Sequence, residues 1–308
     1  MTTFRTVYTL HRTDTGRLAS GPDKSDEDKG VKGGGVHNIP KPLRDMIQPP
    51  KGWMFVGADW AAIQFALLML RAAQLDTPQG YHLDLLAKQQ RKELDPHTFL
   101  AEAYIKAALA AKLAGQFKGQ IYGSVTDELR QLMKGYTYGR AFKGNPDTLS
   151  REQGHRPELG RIICEAHDTA FLLGPWQEHE VELVLQRKFT ETVGGFRRWF
   201  WDSPSRNQKG ELVKPKAQEI LATVIQGDEA DLLKWVMGQM VEDIGPDLEN
   251  DWLSVLTTTH DSLLIQVKES RVDEGLSWLK GHMQASCPLF GRGFRCSAKV
   301  GKNWKEVS

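Results

Sequence analysis

The sequence predicts an α+β fold, in which one antiparallel sheet is built from both ends of the chain around a mainly helical insertion. The apolar stretch Trp53–Ala58 indicates a buried strand near the N-terminal end. Two further strands are predicted within Trp252–Val267, one on each side of Thr259-His260-Asp261-Ser262. Between these regions the chain is rich in helix-forming residues.

The elements between the predicted strands follow from periodicity and from turn residues. Ala61–Ala73 is predicted to be helical, because its apolar residues recur on one face. Further helices are predicted over about 83–113, from Asp127, over 161–187 with a break at Gly174-Pro175, over 216–241 and over 272–285, before a short basic end. A hairpin is predicted over Glu191–Trp201, and a polar, Gly-rich loop over Asp23–Gly35.

Composition excludes some classes of protein. The 308 residues carry a formal net charge of +1, which neither requires nor excludes nucleic acid, since a local basic channel is enough. Three widely spaced cysteines argue against a disulfide framework and for a reducing compartment. No signal peptide is recognised, and the longest apolar run, Phe65–Leu70, is too short to span a bilayer. We therefore expect a cytoplasmic protein with no membrane partner.

Two aspartates end apolar strands that lie almost two hundred residues apart. Asp59 follows the first predicted strand, and Asp261 lies between the last two. Taken alone, Asp59 is typical of a helix N-cap and Asp261 of a turn. Taken together, the two carboxylates can hold two divalent cations, with Mg²⁺ expected and Mn²⁺ as an alternative, as in phosphoryl transfer.

The helix beginning at Asp127 carries a stripe of residues spaced four apart: Arg130, Lys134, Tyr138 and Phe142. Its cations suit the oxygens of a triphosphate, and its rings can stack on a base or sugar. The alternative is a solvated cationic edge beside a core edge. Gly135 and Gly139 indicate that this helix bends or that another segment packs closely against it.

These segments resemble the motifs of family-A DNA polymerases, the DNA polymerase I type, in the order that the family has them. The fingers-helix motif is similar to Arg130-x3-Lys134-x3-Tyr138-Gly139-x2-Phe142, and the two palm motifs to Asp59-Trp60-Ala61-Ala62-Ile63-Gln64 and His260-Asp261-Ser262. Further resemblances cover Thr15–Ser20 with Asn38-Ile39-Pro40, Asp95-Pro96-His97, Glu191–Arg198, Gln226–Asp231 and Val300–Trp304. The resemblance covers nearly the whole chain, and it implies the cytoplasm of a bacterial or phage-infected cell.

The resemblance implies a role for each site residue. It makes Asp59 and Asp261 the metal ligands and, with Lys134, the catalytic residues. It assigns the incoming nucleotide to Arg130, Lys134, Tyr138, Phe142 and Gln64, with Tyr138 near the sugar and implying acceptance of dideoxynucleotides. It assigns primer-template DNA to Arg17, His260 and Gln226, where His260 has the alternative role of a turn residue. It implies a palm over 1–75 and 216–308, with fingers over 76–215.

The implied function is extension of a primer 3′-hydroxyl with dNTPs on a DNA template, by a minimal polymerase palm and fingers without thumb or proofreading exonuclease. A separate thumb, clamp or exonuclease subunit would then be an expected partner. Two departures keep alternatives open, because the family usually has glutamate where Gln64 and Ser262 stand. One alternative is a primer- or RNA-synthesising relative with relaxed sugar selection. The other is a non-catalytic DNA-binding subunit of a larger polymerase.

Overall fold

The computed structural model describes residues 7–9, 13, 15, 17, 19–21, 39–75, 80–113, 116–117, 120–201, 205–206, 212–213 and 216–308. The strands are β1 Val7–Thr9, β2 Ala19–Gly21, β3 Trp53–Trp60, β4 Gln116–Phe117, β5 Gln120–Ile121, β6 Phe189–Glu191, β7 Arg197–Trp199, β8 Ser205–Arg206, β9 Leu212–Val213, β10 Leu253–Thr259, β11 Ser262–Lys268 and β12 Cys296–Gly301. The α-helices are α1 Ile63–Ala73, α2 Tyr81–Gln90, α3 Pro96–Ala110, α4 Asp127–Ala141, α5 Pro146–Gln153, α6 Pro157–Phe171, α7 Gly174–Arg187, α8 Ala217–Ile244, α9 Val272–Gln284 and α10 Trp304–Val307. The predicted loop over Asp23–Gly35 lies outside the described residues.

A four-stranded antiparallel sheet joins the two ends of the chain, in the order β10-β11-β3-β12. The early strand β3 thus pairs on both sides with strands from the C-terminal end of the chain, β11 and β12, which satisfies its buried backbone N–H and C=O groups. Phe55 and Leu264 pack with Trp304 and Val307 in one buried cluster. The predicted α+β class, with a sheet built from both ends, is confirmed.

The C-terminal segment is more regular than the short basic end that the sequence indicated. Residues 296–301 form the edge strand β12, and residues 304–307 form the short helix α10. Asn303 caps that helix by accepting a hydrogen bond from the Glu306 backbone N–H at 3.1 Å. The sequence did not predict this strand, because it is short and its buried and exposed positions do not alternate cleanly.

The middle of the chain is a bundle of helices. The predicted continuous stretch over 83–113 is two helices, α2 and α3, interrupted at residues 91–95. Asp95 begins the second helix by accepting a hydrogen bond from the Thr98 backbone N–H at 2.9 Å, and Pro96 occupies its first position. Helix α3 packs against α4 and α6, and fully buried Tyr104, Tyr136 and Phe171 belong to this core.

The chain divides into two compact units. The sheet unit consists of Met1–Ile63, Glu191–Phe196 and Gln226–Ser308, and the helical unit consists of Gln64–Thr190 and Arg197–Ile225. The bounds of palm and fingers given above stay predictions. Among the residues that the structure describes, no helix is long and apolar enough to cross a membrane.

Candidate active site

Strand pairing in the sheet unit brings the two aspartates together. Strands β3 and β11 are antiparallel neighbours in a register that places Asp59 opposite Ser262, the residue after Asp261. The Trp60 backbone N–H also donates a hydrogen bond to the Asp261 carbonyl oxygen at 3.3 Å. Asp59 lies within β3 rather than at the start of α1, and it is the one exposed residue of its strand. Two residues that are distant in sequence thus lie at the same end of two neighbouring central strands.

The two carboxyl groups are in hydrogen-bond contact. Burial raises the pKa of Asp261 above its ordinary value, while the contact with Asp59 and the positive charge of Arg17 act in the opposite direction. A divalent cation bound between the two carboxylates would offset this cost of burial, because an opposite charge at close range favours the ionised form.

The donor set suits a hard divalent cation. Within the described part of the chain, no group of three or more His, Cys, Asp and Glu side chains is arranged to hold a metal ion. The Asp59–Asp261 pair offers carboxylate oxygens, with neither a thiolate nor an imidazole in the pair. Mg²⁺ keeps several waters and is bound through one or two carboxylates together with substrate phosphates. The pair fits that requirement.

His260 and Ser262 shape the connection that carries Asp261. His260 is exposed, and its backbone adopts a φ of +57°, a left-handed conformation uncommon for a residue with a side chain. The Ser262 hydroxyl donates to the Thr259 carbonyl oxygen at 2.9 Å, which closes the turn. The Ser262 side chain therefore stabilises the turn of the hairpin.

Arg17 is held by a buried acid. Its guanidinium donates to both carboxylate oxygens of Glu229 at 2.8 Å, and the Glu229 side chain is 1 % exposed. Removing either partner would leave the other charge poorly compensated, which is costly in a buried site. Arg17 also acts electrostatically on Asp261, and the ion pair with Glu229 fixes the position of that positive charge.

The Gln226 segment of α8 is anchored by two more acids. Asp228 accepts a hydrogen bond from the Val193 backbone N–H at 2.8 Å, and Asp231 accepts one from the Gly194 backbone N–H at 2.8 Å. Gly227 permits this approach, because a Cβ there would collide with the Thr192 side chain. Gln226 itself is half-buried at the start of this anchored segment.

The predicted stripe lies along α4 in the helical unit. Thr126 caps this helix by accepting from the Leu129 backbone N–H at 3.2 Å. The opposite face buries Leu129, Met133, Tyr136, Thr137 and Ala141. Arg130, Tyr138 and Phe142 are half-buried, Lys134 is exposed, and Phe142 is the C-cap residue. The stripe thus borders the core along its whole length.

Arg130 forms an ion pair with Asp95, a partner that the sequence did not reveal. Its Nε donates to Oδ1 at 3.0 Å and its Nη2 donates to Oδ2 at 2.7 Å. Burial alone would raise the pKa of Asp95, but the hydrogen bonds from Arg130 and Thr98 lower it to about 2. Asp95 therefore stays ionised, caps α3 and competes with any anion for Arg130.

Lys134 differs from Arg130, because no carboxylate within the described part of the chain forms an ion pair with it. It acts electrostatically on buried His97, whose pKa falls to about 4 through burial, with Arg130 and Lys134 adding to the effect and Asp95 opposing it. His97 also packs edge-on against Tyr138, with ring centroids 5.6 Å apart. The neutral His97 imidazole therefore feels both cations of the stripe electrostatically and contacts the Tyr138 ring.

Gly135 and Gly139 allow helix α5 to approach α4. A Cβ at Gly135 would lie 2.5 Å from the Gln153 Nε2, and one at Gly139 would lie 2.5 Å from the Leu149 Cδ2. Of the two explanations left open by the sequence, close packing is the one found. The packed face is distinct from the buried face that contacts α3 and α6.

Gln64 occupies the first turn of α1 and belongs to the helical unit, like the α4 stripe. It is half-buried and makes at least one polar contact. The carboxylates, His260, Arg17 and Gln226 belong to the sheet unit.

Sequence reasoning missed the acids that hold the predicted cations and the α8 segment: Asp95, Asp228, Glu229 and Asp231. One signal was available for Asp95, because Asp followed by Pro is a helix-start pattern. The other three are acids inside a helix whose partners lie far away in sequence, and no local pattern reports such contacts.

Comparisons with known proteins identify the family and the fold of this chain. A family model described as DNA polymerase family A matches residues 2–306. Thermostable DNA polymerase I of Thermus filiformis is 25% identical over 98% of this chain and 32% of its own length, and DNA polymerase I of Borreliella burgdorferi is 23% identical over 88% of this chain and 28% of its own length. The chain thus spans about a third of the length of these relatives.

A solved structure shares the fold. The POL domain of Pol1 from M. smegmatis, in complex with DNA primer-template and dNTP, superposes with a TM-score of 0.73 at 22% identity, over 98% of this chain and 48% of that one. The match of the family model over nearly the whole chain shows that this protein belongs to DNA polymerase family A.

Proposed function

We propose that this chain extends the 3′-hydroxyl of a primer with dNTPs on a DNA template. The observation that carries the proposal is the Asp59–Asp261 carboxyl pair, brought into contact by the pairing of β3 with β11. Family membership supports the same activity, as does the DNA and dNTP complex of the Pol1 POL domain.

The carboxylate pair would hold the divalent cations, with Mg²⁺ the expected ion. Bound there, such cations activate the attacking hydroxyl and neutralise the leaving pyrophosphate. The chain's part is to orient both carboxylates, while the bound cations would favour their ionised form. Strand pairing fixes their backbones, and Arg17 places a positive charge beside Asp261.

The α4 stripe would bind the nucleotide. Lys134 offers an exposed ammonium to the triphosphate, and Arg130 would exchange its Asp95 partner for phosphate oxygens. Tyr138 and Phe142 would offer flat surfaces to the sugar and base. Lys134 thereby acts on the reacting phosphates themselves, whereas Arg130 binds and orients.

DNA would be bound through Arg17, His260 and Gln226. Phosphate contacts from cationic side chains supply most sequence-independent affinity, and the template base is read by pairing. The ion pair of Arg17 with Glu229 leaves it suited to a positioning role close to Asp261.

A second candidate function, synthesis of primers or RNA, is favoured by Gln64 and Ser262, because the family usually has glutamate at both positions. Glutamine has the length of glutamate without its charge, so it can obstruct a ribose 2′-hydroxyl while hydrogen-bonding differently. A primer- or RNA-synthesising enzyme with relaxed sugar selection would have this feature. A non-catalytic DNA-binding subunit is disfavoured, because the carboxyl pair and Lys134 are both present.

The experiment is primer extension by the purified chain, with dNTPs and then with rNTPs. Extension by dNTPs, with weaker use of rNTPs, is expected. Preferred use of rNTPs would replace the first candidate by the second, and no extension with either, on DNA that the protein binds, would favour the binding subunit.

A further inference from the structure

Two tryptophans lie exposed on the hairpin formed by β6 and β7. Trp199 is 42% exposed and Trp201 is 70% exposed. Their rings are stacked, with centroids 4.3 Å apart and an angle of 3° between the planes. Phe189 extends the row, because its centroid lies 4.8 Å from that of Trp199. We name Phe189, Trp199 and Trp201 the aromatic row.

The row faces away from the helical core because of strand alternation. Arg197, Trp199 and Trp201 fall on one side of the strand direction, while Arg198 and Phe200 fall on the other. Arg198 packs over the Phe200 ring, at 5.1 Å from its centroid, and donates to Thr223 at 3.0 Å and to Glu219 at 3.3 Å. That face is attached to the first turns of α8, and the tryptophan face is left outward.

Cations border the row at its Phe189 end. The Arg187 guanidinium lies 4.9 Å and the Arg197 guanidinium 4.7 Å from the Phe189 ring centroid. Arg187 is also tied to the backbone, since its Nε donates to the Phe189 carbonyl oxygen at 3.1 Å. The surface therefore combines a preformed ring stack, open at Trp201, with positive charge at its other end.

We propose that the aromatic row, with Arg187 and Arg197, binds unpaired bases of single-stranded DNA. A base adds to the exposed face of Trp201 by stacking, and the arginines meet the phosphates of the same strand. Such platforms contribute roughly 1–3 kcal/mol per stacked base and tolerate any sequence. The two guanidiniums over the Phe189 ring favour a ligand that carries negative charge beside flat rings, and single-stranded DNA combines both.

The natural ligand of the aromatic row would be the unpaired template strand, and this identification rests on the proposed function. Binding of a bare oligonucleotide by the row does not depend on the proposed function. A wild-type protein that binds the oligonucleotide but fails to extend a primer would overturn the polymerase proposal and leave the platform standing.

The test measures fluorescence anisotropy of a labelled oligothymidylate of about 12 nucleotides, within the usual site size for single-strand binding. The variants are Trp201→Ala, the double variant Trp199→Ala/Trp201→Ala, and the conservative Trp201→Tyr. Leu109→Ala is the matched control, because Leu109 is 53% exposed in the same unit but lies on α3. Thermal unfolding of each variant reports on folding, which loss of an exposed ring should leave intact.

We expect Trp201→Ala to weaken binding by about tenfold, the double variant by more, and Trp201→Tyr and Leu109→Ala by less than about twofold. Equal affinity of the wild type and the double variant would overturn the proposal. A second result would also overturn it: the double variant loses a self-association that the wild type shows at high concentration, yet binds the oligonucleotide with unchanged affinity. The row would then be a protein interface.

Discussion

The Arg130 guanidinium and the Asp95 carboxylate form a two-point ion pair, with nitrogen–oxygen distances of 3.0 and 2.7 Å. Both side chains are about a third exposed, at 35% and 37%. An ion pair at such exposure contributes little to stability, because water solvates both charges and salt screens them. Under the proposed function its consequence would be competition, since a nucleoside triphosphate would have to displace Asp95 to obtain the full charge of Arg130.

The first prediction follows from that competition. Asp95→Asn removes the competing charge but keeps the cap of α3, because asparagine also accepts a hydrogen bond at this position. We expect the KM for dNTP to fall by up to about fivefold, with kcat little changed. Steady-state extension kinetics measure this. Asp147→Asn, which breaks the exposed pair with Arg161, is the control and should leave KM unchanged.

If Asp95→Asn raised KM, Asp95 would be supporting Arg130 in its binding position rather than competing for it. The role given to the ion pair would then be wrong.

The second prediction concerns Lys134. Lys134→Ala should lower kcat and raise the KM for dNTP, because a charge that touches the triphosphate in the transition state is removed. The loss in kcat/KM should be about a hundredfold or more, with thermal stability unchanged, since the side chain is exposed. Lys106→Ala, an exposed lysine on α3, is the matched control. Equal kinetics of Lys134→Ala and Lys106→Ala would contradict the assignment.

The third prediction concerns sugar choice. Gln64→Glu should increase the ratio of dNTP to rNTP incorporation, because the resemblance assigns exclusion of the ribose 2′-hydroxyl to a glutamate at this position. The measurement is kcat/KM for one matched pair of nucleotides in both proteins. A wild type that already discriminates as strongly as Gln64→Glu would remove the reason for considering relaxed sugar selection.

The fourth prediction concerns pH and His97. Burial lowers the pKa of His97 to about 4, against about 6.5 for an unfolded chain. Between these values the unfolded state binds the proton more readily, so His97 favours folding above pH 6.5 and loses that contribution as the pH falls toward 4. In the variant His97→Asn, which retains a donor to Thr137, this part of the pH dependence should vanish.

The free energy of unfolding, measured by denaturant titration at pH 7 and pH 4, tests this. The difference in the free energy of unfolding between wild type and His97→Asn should change by up to about 3 kcal/mol between pH 7 and pH 4. A constant difference would mean that His97 is not held neutral by its surroundings.

Local patterns were sufficient for most elements but not for their partners. The apolar runs behind β3, β10 and β11 identify strands, whereas the helix-start pair Asp95-Pro96 would have divided the stretch over 83–113 that was predicted as helical. The same logic would have found α5, which begins at Asn145-Pro146 with the asparagine side chain as its cap. Edge strand β12 is short and mixed in polarity, so no periodic signal identifies it.

The site was predicted as a set of residue types and not as a set of contacts. That Asp59 and Asp261 meet depends on β3 pairing with β11, and a one-residue slip would turn the side chains of a strand to the other face of the sheet. The partners of Arg17 and Arg130 are 212 and 35 residues away in sequence, so tertiary packing chooses them. Ion pairs of this kind leave no periodic trace in one sequence.

The central claim is that Asp59 and Asp261 act as one metal-binding pair, and single-turnover primer extension tests it most directly. Asp59→Asn and Asp261→Asn keep the size of each side chain but remove its charge, and Ser262→Ala is the neighbouring control. We predict a loss of more than about a thousandfold in the rate for each aspartate variant. Primer-template affinity should stay within about threefold of the wild type, and Ser262→Ala should retain most of its rate. Extension by Asp59→Asn or Asp261→Asn at near wild-type rate, in the same Mg²⁺ buffer, would contradict the account.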